Sequence, residues 1–247
     1  MQSRRRDASV ALAVVVALTL PGCPNPSLYS TPRTVAPGSF VHSVSLEGFG
    51  YHGDVETKPD NPQTPQNERV IERRSSFLPS LPSYQLRIGA LDTVDLGIHL
   101  HNLSSLGADF KWNPIRGFFD LALDPAFQYF IVTTDGPTDA ESATAHVFYF
   151  HAPVLLAVNP TEWLSVVVAP GFTYGFHTER LLGDDQASTV TGPLFRGEAG
   201  LQFRIWDNFA VHPSASVLKT FEGPGVSYNV GIGFNFGSLP SYEDRKD

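Results

Sequence analysis

The stretch that decides the fold is "RIGALDTVDLGIHL", Arg87 to Leu100. Apolar residues take alternate positions on both sides of a break at Leu91-Asp92-Thr93. Because successive side chains of a strand point to opposite faces, this spacing predicts two strands joined by a tight turn. The two faces are unlike. The apolar face holds Ile88, Ala90, Leu96, Ile98 and Leu100, and the polar face holds Arg87, Asp95, His99 and His101.

The same period-two alternation recurs in about ten segments between residues 39 and 237, each of about 10–15 residues. No segment follows the 3.6-residue period of a helix, and no later run of about 18 apolar residues predicts a transmembrane helix. Only helices and closed barrels satisfy the backbone in lipid. The pattern therefore predicts an all-β chain whose residues 39–237 form a closed antiparallel up-and-down transmembrane β-barrel of about ten strands.

The N-terminal residues predict export. Three arginines at residues 4–6 precede an apolar run, "VALAVVVALTL", which ends before Pro21-Gly22-Cys23. A basic start and a short apolar run are typical of a signal peptide, here residues 1–22. The ending resembles the bacterial lipobox, which implies that Cys23 is acylated and becomes the new N-terminus. Cys23 is the only cysteine, and the alternative is a buried or free thiol. Pro24 at the next position resembles lipoproteins passed on to the outer membrane.

Three further segments lack alternation. Residues 23–38 contain four prolines and predict a lipidated flexible tether between the anchor and the barrel. Residues 52–80 are polar and proline-rich, which predicts an exposed mobile loop. Residues 238–247 predict a polar C-terminal tail.

The connections between segments alternate in length. Those assigned to the periplasmic side are short and fall at Asp92-Thr93, Pro114–Gly117, Pro160-Thr161 and Asp207-Asn208. Those on the other side include the long stretches 52–80, 132–142 and 178–191, with short ones near 102–104 and 222–225. Short periplasmic turns and longer external loops are typical of outer-membrane barrels. Each tryptophan adjoins a short turn, as an interfacial girdle would, although the register points only Trp112 outward.

On these patterns the chain resembles the small bacterial outer-membrane β-barrels over residues 39–237. The final "GIGFNFG" resembles the aromatic last strand by which such barrels are recognised for insertion, and the polar tail after it departs from the usual ending. The resemblance implies an outer-membrane location, membrane lipid as a partner, and a monomer. The alternative fold is a soluble, lipid-tethered lipocalin-like barrel or β-sandwich.

Four prolines interrupt the predicted strands, at positions 125, 153, 170 and 213. Proline cannot donate to a β-ladder, and a closed barrel has no edge at which to place it. Each proline therefore predicts a bulge or a local break.

The charged residues argue against nucleic-acid binding and predict how the barrel lumen is lined. The formal charge is −8, and it becomes −10 once residues 1–22, with three arginines and Asp7, are removed. An acidic chain lacks the basic footprint of a nucleic-acid binder. The predicted inward face is nearly balanced in sign, which favours pairing across a narrow, plugged lumen over a conducting pore. This predicted charge network comprises Glu47, Arg87, Asp95, Asp109, Lys111, Asp124, Arg196, Glu198 and Arg204.

The residues give little sign of catalysis. His99 and His101 share a face at a spacing seen in metal sites, but the sequence fixes no third ligand near them, so two polar rim residues are the favoured interpretation. In "VHSVS", His42 and Ser43 point to opposite faces and cannot act as base and nucleophile. We therefore expect no enzyme, cofactor or metal, and a structural or surface-interaction role with an undetermined extracellular partner. A narrow channel, a small-solute binder and a lipid-modifying enzyme are the alternatives.

Overall fold

The structure, a computed structural model, describes residue 25 and residues 27–57, 70–102, 105–134, 143–181, 187–221 and 225–242. The predicted signal peptide and Cys23 lie outside the described residues. Within these ranges every regular element is a β-strand. The strands are β1 (Phe40–Thr57), β2 (Val70–Pro79), β3 (Ser83–Leu91), β4 (Val94–His101), β5 (Ser105–Ile115), β6 (Phe119–Leu123), β7 (Ala126–Thr134), β8 (Ala143–Thr161), β9 (Leu164–Val168), β10 (Gly171–Leu181), β11 (Ala187–Trp206), β12 (Phe209–Thr220) and β13 (Val226–Gly237).

The described residues contain no helix long and apolar enough to cross a membrane.

The strands form one closed antiparallel sheet. Three pairs of segments are each one strand with a short interruption: β2 continues as β3, β6 as β7, and β9 as β10. The described segments therefore make a barrel of ten strands, and β13 pairs with β1 to close it. The predicted fold class, a closed antiparallel barrel of about ten strands, is confirmed.

Two of the four strand prolines lie in breaks, as predicted. Pro125 falls between β6 and β7, and Pro170 falls between β9 and β10. Pro153 and Pro213 differ, because β8 and β12 continue through them. The carbonyl oxygen of Pro153 accepts a hydrogen bond from Asp124 N at 3.2 Å, beside the β6–β7 break. The donor that Pro153 lacks would point toward the same break, so its absence costs the sheet little.

The two faces of the barrel have opposite chemistry. In the opening hairpin Arg87 and Asp95 are buried inside the barrel, whereas Leu96 and Ile98 are 48% and 53% exposed on its outside. The predicted facing of this hairpin is therefore confirmed. The same outward exposure is found for Phe40, Leu46, Leu106, Phe110, Phe127, Phe150, Phe172, Leu201 and Val230. A soluble lipocalin-like barrel has its apolar side chains inside, so this distribution is that of a transmembrane barrel.

Four short turns lie at one end of the barrel, which we call the short-turn end. They are formed by residues 92–93, 116–118, 162–163 and 207–208. The turn predicted at Pro160-Thr161 lies two residues later, because β8 runs through Thr161. Trp112, Trp163 and Trp206 are all exposed near these turns, which corrects the expectation that only Trp112 points outward. Trp163 lies in a turn, and a register shift between Arg204 and Trp206 reverses the facing of Trp206.

The opposite end, which we call the outer mouth, carries longer hairpins. The predicted mobile loop 52–80 is corrected at both ends, because β1 and β2 pair from Gly48↔Pro79 to Thr57↔Val70. Strand β7 likewise extends into the predicted loop 132–142, and β10 and β11 extend into the predicted loop 178–191. Residues 58–69, 135–142 and 182–186 lie outside the described part of the chain.

Candidate functional site in the barrel lumen

The lumen is occupied by the N-terminal part of the chain. We call Asn25 and residues 27–38 the luminal segment. Leu28, Tyr29 and Val35 are buried within it, and Pro37 forms an isolated bridge with Gly89 on β3. These residues were predicted to be a flexible tether, and the structure differs. An extended, proline-rich chain has unpaired backbone groups, and the inward side chains of the wall supply partners for them.

Charged wall residues bind the backbone of the luminal segment. Leu28 N donates to Glu198 Oε2 at 2.7 Å, and Val35 N donates to Asp95 Oδ2 at 3.0 Å. Lys111 Nζ donates to the carbonyl oxygen of Thr31 at 3.0 Å. Hydrogen bonds to charged groups are stronger than those between neutral groups. The charges that the sequence assigns to the lumen therefore hold a segment of the same chain in place.

Asn25 anchors the segment near the outer mouth. Its Nδ2 donates to Glu47 Oε2 at 2.9 Å, and its Oδ1 accepts from Asn229 Nδ2 at 3.0 Å. Its backbone N donates to Gln128 Oε1 at 3.3 Å. This one residue thus connects β1, β7 and β13.

Arg33 forms an ion pair that sequence reasoning missed. Its Nε lies 2.8 Å from Asp120 Oδ2, with side chains 3% and 0% exposed. Arg33 Nη1 donates to the carbonyl oxygen of Ser241 at 2.6 Å, and the guanidinium lies 4.4 Å from the centroid of the Tyr242 ring. Asp120 falls on the same face of the strand alternation as Asp124, so the sequence pattern could have assigned it to the lumen. Arg33 lies in a segment without alternation, so the pattern does not indicate its position.

Arg87 is the centre of a buried charge cluster. It pairs with Asp95, and its Nη2 lies 2.7 Å from Asp109 Oδ1 and 3.5 Å from Asp124 Oδ2. Lys111 Nζ lies 3.4 Å from Asp95 Oδ2. Five of the nine predicted network residues therefore converge, and three acids surround two bases.

The other four predicted network residues have separate surroundings. Glu47 and Glu198 contact the luminal segment, as described above, and Arg196 is buried. Arg204 is partly exposed and donates from Nη1 to the carbonyl oxygen of Pro240 at 3.0 Å.

Tyr29 fills a space that two glycines leave open. Its backbone φ is +47°, an unfavourable value for a bulky residue, and its ring meets that of His212 edge-on at 6.1 Å between centroids. A Cβ at Gly233 would lie 2.7 Å from Tyr29 Cβ, and one at Gly231 would strike the Tyr29 hydroxyl. These two glycines of the final "GIGFNFG" therefore admit the luminal segment.

The C-terminal residues close the short-turn end. The predicted tail begins at residue 238, but Leu239 and Tyr242 are buried, and Leu239 packs with Val35, Val41 and Ala210. Tyr242 OH accepts from Ser165 Oγ at 3.1 Å and donates to Thr31 Oγ1 at 3.3 Å. Burial raises the pKa of the Tyr242 phenol, so it stays neutral and keeps both bonds. Residues 243–247 lie outside the described chain.

The residues weighed for chemistry have other partners. His99 contacts Asp109, and its ring stacks on that of His101 at 5.3 Å between centroids. In the described ranges no group of three or more His, Cys, Asp or Glu is arranged to hold a metal ion. His42 lies outside, bonded to the Tyr84 hydroxyl at 2.7 Å, whereas Ser43 is buried inside.

Two cavities lie beside the luminal segment. Their volumes are about 30 and 20 Å³, and both are bordered by Tyr29. Each has room for little more than a water molecule. At these two places the luminal segment and the wall leave no room for a solute much larger than water.

Comparison with solved structures returns bacterial outer-membrane proteins as similar folds. Ail of Yersinia pestis matches with a TM-score of 0.35 and 14% identity, over 81% of this chain and 99% of that one. Neisserial surface protein A matches with a TM-score of 0.38 and 9% identity, over 82% and 97%. OprG of Pseudomonas aeruginosa matches with a TM-score of 0.33 and 10% identity, over 84% and 99%. No protein-family model and no curated protein matches the sequence.

Proposed function

We propose that this protein is an outer-membrane lipoprotein whose barrel is filled by its own N-terminal segment. Its role is structural or surface-interacting rather than catalytic or conducting. It acts as a monomer, it is held by the barrel and by a covalent lipid on Cys23, and its long hairpins face outward. The extracellular partner of those hairpins is left open.

The observation that carries this proposal is the occupied lumen. The luminal segment is bound at three levels, by Glu47 near the outer mouth, by Glu198 and Lys111 further in, and by Asp120 toward the short-turn end. A pore for solutes needs an open, water-filled path. Because wall side chains bind a segment of the same chain across the lumen, these contacts favour a closed scaffold over an open pore.

The anchor and the membrane location are tested together. We expect the protein in the outer-membrane fraction, with a gel mobility that shifts on boiling because the folded barrel resists detergent. Labelled palmitate should enter the wild type but not the Cys23→Ala variant. A wild type without label would refute the lipid anchor. A wild type found in the soluble periplasmic fraction would refute the membrane barrel.

Conductance tests the closed lumen. In planar bilayers the full chain should show no steady conductance, whereas deletion of residues 25–36 should open a polar path and produce one. The deletion variant is compared only after its boiling-dependent gel shift shows that it has folded. Steady conductance by the full chain would favour the channel alternative instead.

A further inference from the structure

The luminal segment has a direction. At the short-turn end Gly38 N donates to the carbonyl oxygen of Gly89 at 2.9 Å, and Thr34 Oγ1 donates to that of Asp92 at 2.7 Å. The chain then turns back at Ser39 and begins β1. Residues earlier in the sequence lie progressively farther from this end, so Asn25 is at the other end of the segment.

Asn25 lies close to the rim of the outer mouth. Its backbone N donates to Gln128 Oε1, and Gln128 Nε2 donates to Ser105 Oγ at 2.8 Å. Ser105 is the first residue of β5, directly after the short connection from β4. Two hydrogen bonds, through Gln128, therefore connect Asn25 to Ser105 at the rim of the barrel wall.

The wall is low at this point. At the outer mouth β4 ends at His101 and β5 begins at Ser105, and β3 beside β4 begins at Ser83. Beyond β3, β1 extends to Thr57, and on the other side of the gap β7 extends to Thr134. Ser105 pairs with Phe130, so β7 rises four residues above the end of β5. Leu106, next to the gap, exposes 58% of its surface on the outside of the barrel. An apolar outer surface thus begins directly below the gap.

We infer that the chain is threaded through the barrel, so that the acyl chains on Cys23 enter the outer leaflet beside the β4–β5 gap. This inference rests on the lipidation proposed above. Cys23 is two residues before Asn25, so their Cα atoms lie within about 7 Å of each other in any conformation. To place the acyl chains in the inner leaflet, the luminal segment would have to leave the lumen. It would then lose its bonds to Glu47, Glu198 and Asp120.

The test locates the N-terminal end in intact cells. A ten-residue epitope inserted between Pro24 and Asn25 adds about 30 Å of chain above the outer mouth without replacing a described contact. Antibody should bind this variant on intact cells, and labelled palmitate should enter the same protein. The matched control carries the epitope between Asp207 and Asn208, at the short-turn end. It should bind antibody only after the outer membrane is permeabilised.

The outcomes separate the two proposals. Palmitate-labelled protein whose N-terminal epitope is reached only after permeabilisation overturns the threaded arrangement and leaves the lipoprotein standing. Unlabelled protein whose epitope is reached on intact cells overturns the anchor, and with it the outer-leaflet acyl chains, while the segment remains in the lumen. Label together with antibody binding on intact cells supports the inference.

Discussion

The buried pair between Arg33 and Asp120 joins the luminal segment to the barrel wall, and its removal should be costly. Arg33→Leu removes the 2.8 Å contact with Asp120, the bonds to Ser241 and Gly117, and the stacking on Tyr242. Breaking a buried ion pair from one side typically costs about 3–5 kcal/mol, because the remaining charge is uncompensated.

The structure places the expected loss near the lower limit of that range. Asp120 keeps hydrogen bonds from Gly117 N at 2.9 Å and from Asn159 Nδ2 at 2.7 Å, which stabilise the remaining carboxylate. We therefore expect Arg33→Leu to lower the free energy of unfolding by about 3 kcal/mol. In the double variant Arg33→Leu/Asp120→Asn no uncompensated charge remains. Its loss of unfolding free energy should therefore be smaller, by at least about 1 kcal/mol, than the sum of the losses of the two single variants.

The assay is urea unfolding of protein refolded into lipid vesicles, followed by tryptophan fluorescence. Arg73→Leu is the matched control, because Arg73 also pairs with an aspartate, Asp54, at 3.2 Å, but its side chain is 72% exposed. Exposed pairs contribute about 0–1 kcal/mol. If Arg33→Leu and Arg73→Leu unfold at the same urea concentration, Arg33 is not buried in the lumen and the reasoning fails.

Two further predictions concern the two faces of the wall. Ile98→Arg places a charge in the middle of a lipid-facing strand and should cost about 2–4 kcal/mol, whereas Leu91→Arg at the short-turn end should cost about 0–1. Urea unfolding in vesicles measures both, and equal costs would contradict a lipid-facing β4. Gly233→Ala should displace Tyr29 and lower the unfolding temperature, while Gly197→Ala, whose Cβ meets nothing nearer than 3.6 Å, should not. Equal unfolding temperatures would show that Tyr29 does not occupy the space beside Gly233.

The sequence predicted the wall well because strand alternation is a local signal. The unlike faces of Arg87–Leu100 need only the period-two rule, and parity extends that rule to Asp109 and Asp124. The rule fails where the period changes. The shift between Arg204 and Trp206 turned Trp206 outward, and nothing in the sequence marks it.

The occupied lumen could not be predicted in the same way. The luminal segment has no periodicity, and its partners are remote in sequence: Leu28 binds Glu198 across 170 residues. Prolines and polar residues are typical of a tether in water and of an extended segment bound by side chains. The balanced inward charges did indicate a plugged lumen. They did not indicate that part of the plug is the chain's own N-terminal segment.

The measurement that tests the central claim most directly is a cross-link between the luminal segment and the wall. Ser27 Oγ lies 3.0 Å from Ser216 Oγ on β12, so Ser27→Cys/Ser216→Cys should form a disulfide during export. Ser27→Cys/Ser75→Cys is the control, because Ser75 lies exposed on β2. After trypsin cleavage at the Arg69–Val70 bond, boiled fragments of the first variant should stay joined until reductant is added, and those of the control should separate. Fragments of the Ser216 variant that separate without reductant would show that the segment does not lie in the lumen.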